Sequence, residues 1–320
     1  MKKIRIGILG CANIAVRTIL PTLEKHPEFE ITALASRSKC KGAPLAEKYN
    51  CRLFSYQELL NAADIDAVYV PLPTGLHAEW VMKLLAVGKH TLCEKSLGCS
   101  LAEVQEMVDL AQRRNLALME TFQFRFHRQN LHARELVRSG HIGEVRCFRS
   151  SFGFPPFPDS NNIRYNCVLG GGALLDAGAY TLKVVDFILG GDFTVKSAIL
   201  RYDDSSEVDL GGGIMLADSK GAIAELAFGF DNFYQCNYEV WGSKGKLTVQ
   251  RAFTAPKDFI PDILLEDNDG KHQIQIEPDD HFFNMFTEFA NKIKNSDFAS
   301  EYEKCLRQAN LMEQTRTSCL

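Results

Sequence analysis

The chain has 320 residues, room for two ordinary domains, and its 46% hydrophobic and 24% charged content is that of a globular protein. The net charge of −4 comes from acids and bases mixed along the chain, which excludes the basic footprint of a nucleic-acid or anionic-membrane binder. No apolar run is long enough to span a bilayer, and "MKKIRIGILG" runs into "CANIAVRT" with no cleavage pattern, so a cytoplasmic location is expected.

In chain order, "IRIGILG" is a β-branched apolar run and "NIAVRTILPTLEKH" is helical in pattern, with Pro21 expected to kink it. "EITALAS", "RLF", "DAVYVPL", "HTLCEK" and "LALMETF" are strand-like. The helical stretches "APLAEKYN", "YQELLNA", "GLHAEWVMKLLAVG" and "SLAEVQEMVDLAQRRN" alternate with them. Short apolar strands alternating with helices predict βαβ units and an α/β, doubly wound parallel sheet covered on both faces, over residues 1–122.

After about residue 140 the texture changes. "GEVRCFRSSFGF" reads as a long strand and residues 173–189 as a helix, and from Thr194 to Ile276 strands follow one another with turns between. Residues 123–320 are thus expected to form an α+β domain on a mostly antiparallel open sheet with one helical face. Phe282, Met285, Phe286, Phe289 and Ile293 make one apolar stripe behind Asp279 and Asp280 as candidate cap, and a last helix begins near Glu301.

The first turn, "GILGCANIA", offers Gly10, Ala12, Asn13 and Ile14 to a pyrophosphate at a helix N-terminus. Ala12 and Ala15 stand where a G-x-G-x-x-G pattern has glycine, so a turn without a ligand fits the motif equally well. The βαβ series favours a dinucleotide. After the second strand, where an acid would take the ribose hydroxyls of NAD, stand Ser36 and Arg37. A hydroxyl and a guanidinium suit a 2′-phosphate, so NADP is expected rather than NAD; a solvated loop would use the same residues.

Ten cysteines show neither CxxC spacing nor a Cys/His cluster, so reduced thiols and no metal are expected. "CEKS" at 93–96 puts Glu94 and Lys95 at the end of a buried strand, on the edge where such sheets bind ligands; a strand-end salt bridge is the plain alternative. Asp176 and Tyr180, four apart, share a helix face, where tyrosine is more often a packing residue.

Three segments together, "VPLPTGLH", "CEKS" and "LGGGALLDAGAY", resemble the Gfo/Idh/MocA oxidoreductases over essentially the whole chain. The resemblance implies a Rossmann domain followed by an α+β domain, NAD(P) dependence, and action on sugars or cyclitols. It implies that Lys95 is catalytic, with Ser96 in place of the usual proline. It further implies that Leu72, Pro73, Thr74 and His77 line the cofactor, and that Glu94 contacts the nicotinamide ribose or orients a neighbour. Tyr180 and Lys183 stand where many members have histidine and a second aspartate. This departure, with Arg164 in "NNIRYN", is similar to the branch of glucose–fructose oxidoreductase, dimeric dihydrodiol dehydrogenase and the nucleotide-sugar 3-ketoreductases.

Hydride transfer to a carbonyl requires a proton on its oxygen. A phenol can supply it if an ammonium brings its pKa down from about 10. Lys95 and Tyr180 are therefore the expected catalytic pair, with Asp176 to orient one of them; which of the pair transfers the proton stays open. Arg164 and Arg125 suit phosphate or carboxamide contacts, or plain ion pairs, and Arg164 is counted among the expected cofactor-binding residues. The expected enzyme is an NADP-dependent reductase of a keto-sugar, nucleotide-linked or free. An aldose 1-dehydrogenase and a non-catalytic NADP(H) sensor are the alternatives. The apolar "GGGIML" and "AIAELAFGF" strands, and the family's use of its outer sheet face, imply a homodimer or homotetramer.

Overall fold

The computed structural model describes residues 2–159, 161–204 and 206–319, and the chain divides into two compact units. The first comprises residues 1–121 and 282–309, the second residues 122–281 and 310–320. This differs from a single cut after 122, because the amphipathic segment from Phe282 belongs with the first unit.

In the first unit six strands, β1 (Ile4–Leu9), β2 (Phe29–Ala35), β3 (Arg52–Phe54), β4 (Ala67–Val70), β5 (His90–Cys93) and β6 (Leu118–Glu120), form one sheet. Their order is β3-β2-β1-β4-β5-β6 and every pairing is parallel. β4 is buried along its whole length, as a strand covered on both faces must be. The crossovers carry α1 (Leu20–Lys25), α2 (Lys39–Lys48), α3 (Tyr56–Asn61), α4 (His77–Ala86) and α5 (Leu101–Arg114). Local chemistry sets their ends: Ser55 and Glu58 close a capping box on α3, Ser100 caps α5, and Asn115 in the left-handed region stops it.

Pro21 does more than kink. It lacks the N–H that an α-turn would need, and the chain winds as a π-turn over Ala15–Ile19 before α1 begins. The helix α8 (His281–Asn295) supplies Phe286 and Phe289, which meet Phe29 at ring-centroid distances of 5.5 and 6.4 Å, and Phe286 also meets Tyr69.

The second unit holds α6 (Arg128–Arg138), α7 (Ala179–Leu189) and eight strands. These are β7 (Val145–Gly153), β8 (Thr194–Arg201), β9 (Gly211–Ala217), β10 (Ile223–Gly229), β11 (Gln235–Gly242), β12 (Gly245–Gln250), β13 (Asp262–Asp267) and β14 (Gly270–Gln275). Their order is β14-β13-β12-β11-β7-β10-β9-β8, antiparallel throughout except where β7 meets β10. α7 lies against β7 and β10 over a core that includes Phe148, Leu226 and Val240. Ile199, Met215 and Trp241 stay exposed on the sheet, which bears a depression of about 590 Å³ lined by Ile199, Gly213, Met215 and Ala227 among others. The last helix, α9 (Ala299–Thr317), closes the chain.

Asp279, one of the two candidate caps for α8, accepts the backbone N–H of Arg128 at 2.8 Å and is thereby tied to the first turn of α6.

Candidate active site

The carboxyl ends of β1, β2, β4 and β5 gather most of the expected cofactor residues on one edge of the parallel sheet. Gly10 follows β1 with φ +130°, and a Cβ there would stand 3.2 Å from Leu72 Cδ2 and 3.5 Å from the Tyr56 hydroxyl. The turn therefore presents bare backbone, as close approach of a pyrophosphate requires. Asn13 and Ile14 open the helix, the Ala12 carbonyl accepts the Val16 N–H, and Ala15 is fully buried, so its methyl group fits the helix–sheet contact. Beyond β2, Ser36 folds into a local turn, its hydroxyl accepting from Ser38 N–H at 3.2 Å and donating to Ser38 carbonyl at 2.9 Å. Arg37 lies beside the Tyr56 hydroxyl; burial pushes that phenol up and the guanidinium pulls it back.

Tyr56 was not singled out in the sequence. It is the first residue of α3, its ring set edge-on to Trp80 at 5.0 Å, and only the long-range return of β3 to the edge of β2 brings it beside Gly10 and Arg37. The residues present thus fit a dinucleotide with an extra phosphate on its ribose.

Past β5, three side chains hold the segment that bears Lys95. Tyr69 donates to Glu94 Oε1 at 2.6 Å. Leu97 N–H donates to buried Glu120 at 2.8 Å. His77 Nδ1 lies 2.8 Å from the Ser96 carbonyl and its Nε2 lies 2.7 Å from the Leu72 carbonyl. Burial pushes the Glu94 carboxyl up, against Tyr69 and Lys95. His77, expected to line the cofactor, is fully buried; burial lowers its pKa, and its ring sits between the carbonyls of two loops with one N–H to donate to one of them. The Lys95–Ser96 peptide bond is cis, and Lys95 is half-buried. Leu72, Pro73 and Thr74 form the turn between β4 and α4.

In the second unit the three glycines have separate reasons. Gly170 is left-handed with φ +72°. A Cβ on Gly171 would lie 2.5 Å from the Arg164 carbonyl, and one on Gly172, where φ is +110°, would lie 2.4 Å from Asp209 Oδ1. Gly172 N–H donates to the Arg164 carbonyl at 2.9 Å, so the loop carrying Arg164 is docked on bare backbone. Asp209 accepts the Leu174 N–H at 2.6 Å and thereby caps the start of the helix that runs, first as a π-turn, into α7. Burial pushes its carboxyl up, and the Leu174 N–H opposes that.

Asp176 on this helix takes Arg164 Nε at 2.5 Å. Tyr180 is caged by Phe122, Phe124, Phe152 and Phe253 at 5.2 to 6.0 Å, and its hydroxyl donates to Gln123 Oε1 at 3.4 Å. Gln123 in turn donates to the Phe253 carbonyl at 3.1 Å. Lys183 is buried, 3.9 Å from Asp186 and 5.6 Å from the Phe122 ring centroid. Arg125 is buried with its guanidinium 5.0 Å from the Phe126 ring. Among the described residues no group of three or more His, Cys, Asp or Glu could hold a metal, and all ten cysteines are free thiols. No helix of the described residues is long and apolar enough to cross a membrane.

A six-stranded parallel sheet of this order, with a bare-backbone turn after β1 and a lysine past β5, joined to a domain with a caged tyrosine, defines a two-domain, dinucleotide-dependent oxidoreductase. The chain belongs to the Gfo/Idh/MocA family: its oxidoreductase domain with NAD-binding Rossmann fold matches residues 4–122, and its C-terminal domain matches residues 130–248. Among relatives, dTDP-3,4-didehydro-2,6-dideoxy-alpha-D-glucose 3-reductase of Saccharopolyspora spinosa is 42% identical over 294 residues, 92% of this chain and 88% of that one. D-xylose 1-dehydrogenase (NADP(+)) 2 of Haloferax volcanii is 34% identical over 249 residues, covering 77% of this chain and 76% of its own. The crystal structure of KijD10, a 3-ketoreductase from Actinomadura kijaniata in complex with NADP and TDP-benzene, superposes with a TM-score of 0.95. It is 38% identical, over 99% of this chain and 98% of that one. KijD10 has also been crystallised with a single lysine replaced and with a single tyrosine replaced by phenylalanine.

Proposed function

We propose that this protein reduces the keto group of a nucleotide-linked sugar with NADPH. The observation that carries the reading is the end-to-end likeness to 3-ketoreductases for dTDP-linked sugars. The pairing of Arg37 with Tyr56 beside the β1 turn supports NADP over NAD. In this reading Gly10, Ala12, Asn13 and Ile14 receive the pyrophosphate, and Ser36, Arg37 and the Tyr56 hydroxyl hold the 2′-phosphate. Leu72, Pro73, Thr74 and Glu94 border the nicotinamide end.

When bound, the nicotinamide supplies the hydride. Lys95 and Tyr180 serve the carbonyl oxygen: one delivers the proton and the other stabilises the developing negative charge. Lys95 is held by Tyr69, His77 and Glu120 acting on its neighbours, and Tyr180 by its aromatic cage and Gln123. That KijD10 was crystallised with one lysine and one tyrosine altered supports giving these residue types the chemistry. Asp176 acts through Arg164.

The test is NADPH absorbance during incubation with thymidine-diphosphate-linked keto-sugars and with free aldoses and NADP. Consumption of NADPH with the nucleotide-linked substrates is expected. Turnover of free aldoses alone would favour an aldose 1-dehydrogenase, the second reading, which the Haloferax relative supports. NADPH binding without turnover of either would leave the sensor.

The protein is further proposed to act in the cytoplasm and to assemble as a homodimer or homotetramer through the open sheet face bearing Ile199, Met215 and Gly213. Light scattering at micromolar concentration checks the assembly, and a monomer there ends it.

A further inference from the structure

Arg164 is held from three sides. Its carbonyl accepts the Gly172 N–H, its Nε donates to Asp176, and its guanidinium carbon lies 4.6 Å from the centroid of the Phe157 ring. Among the described residues no hydrogen bond occupies its two terminal amino groups, and the side chain is 36% exposed. A guanidinium fixed at Nε and laid on an aromatic face keeps a planar fork of N–H groups for an anion, with little rotamer freedom left to lose.

The surroundings are aromatic and half-exposed. Phe157 donates its backbone N–H to the Tyr165 hydroxyl at 3.1 Å, and the two rings stand 6.3 Å apart. Phe154 lies 5.4 Å from Phe157 and 5.6 Å from Phe152, whose ring is 5.2 Å from Tyr180. A continuous aromatic path therefore leads from the phenol to the fork. Asp176, which aims the fork, stands four residues before Tyr180 on the same continuous helix. A substrate with a reacting carbonyl on one side of a sugar ring and a diphosphate on the other carries the two groups that such a phenol and such a fork would take.

We propose that Arg164 is the diphosphate contact of a nucleoside-diphosphate sugar, with Phe154, Phe157 and Tyr165 as the apolar ledge beside it. The inference rests on the reading that the substrate is nucleotide-linked, and it moves Arg164 from the cofactor to the substrate. The grouping supports the move: Arg164, its ledge and Tyr180 belong to one unit, whereas Gly10, Ser36 and Arg37 belong to the other. The Arg164–Asp176 pair is neutral overall, so recognition is by local donors and not by a broad positive field.

The experiment is calorimetric titration of the NADPH-loaded protein with thymidine diphosphate and with thymidine. Arg164→Met is expected to weaken thymidine diphosphate binding about 10- to 100-fold, the range for charge-assisted hydrogen bonds, with thymidine and NADPH unaffected. Arg164→Lys, which keeps the charge and loses the fork, should fall between. In turnover both variants should raise KM for the nucleotide sugar more than they lower kcat. Thymidine diphosphate binding unchanged in both variants, or a loss confined to NADPH, would overturn the assignment and leave the proposed reaction standing. Wild-type protein that binds no thymidine diphosphate would overturn the nucleotide-linked reading and this inference together.

Discussion

Gly172 is where the smallest added side chain should do the most damage. Its φ is +110°, and a methyl group there would meet Asp209 Oδ1 at 2.4 Å, far inside van der Waals contact. Gly172→Ala therefore carries backbone strain of about 1–3 kcal/mol. It must also push Asp209 off the Leu174 N–H, losing a helix cap that contributes about 0.5–2 kcal/mol. Asp209→Ala alone loses only the cap. In the double variant the methyl group has no carboxylate to displace, so the cap is lost once, and the two effects should fall short of additive by about 1 kcal/mol. Urea midpoints of the four proteins measure this, with unchanged m-values as the check that the unfolding reaction is the same. Each 1 kcal/mol should also lower Tm by about 2–4 °C for a unit of this size. Additivity within about 0.5 kcal/mol, or a Gly172→Ala protein as stable as the parent, would refute the account of this motif.

The cofactor reading predicts that Arg37→Asp raises the NADPH dissociation constant by about 10- to 100-fold and barely alters that for NADH; fluorescence titration with both nucleotides decides it, and equal effects count against a 2′-phosphate at this position. Lys95→Met and Tyr180→Phe should each spare NADPH binding and lower turnover by about 10²–10⁴-fold, with the double variant losing far less than the product. Near-normal turnover in both single variants would remove them from the chemistry. His281, buried against His127, is pushed down to about 3, by burial first and then by its neighbour's charge. The folded state thus refuses a proton that the unfolded chain accepts below its ordinary pKa of about 6.5, so stability is full above that pH. It should fall as pH drops toward 3, by up to about 1.4 kcal/mol per pH unit. Urea midpoints between about pH 6 and 4 should lose part of that slope in His281→Leu, and an identical slope in both proteins counts against the assignment.

The parallel half was legible because its signals are local. An apolar strand such as "AVYV", bounded by turns and helices of fixed period, admits few other arrangements. The strand-rich half was legible for the same reason. What escaped reading was set by long-range return of the chain. Asp209, which explains Gly172, lies 37 positions further along the sequence, and nothing near the glycines announces it. Tyr56 reads as the first residue of an ordinary capped helix until β3 pairs with β2. The stripe from Phe282 to Ile293 is plainly amphipathic, yet amphipathicity says that a face is covered and not by which sheet; here Phe29 and Tyr69 take Phe286. The sequence offers His77 and Arg164 as candidate cofactor contacts without showing what surrounds them. Their partners, two carbonyls and one carboxylate, needed the fold.

The return of residues 282–309 to the first unit also fixes an order of events during synthesis. Domains emerge from the ribosome N-terminus first and ordinarily fold as they appear. Here the parallel sheet is made within the first 121 residues, but the rings of Phe286 and Phe289 that cover Phe29 come more than 160 residues later. Every strand of the second unit has been released by then. The nascent first unit must therefore keep an apolar flank open while its neighbour is completed. A fragment cut after residue 122 would hold every strand of the parallel sheet and still lack the aromatic cover that closes its core.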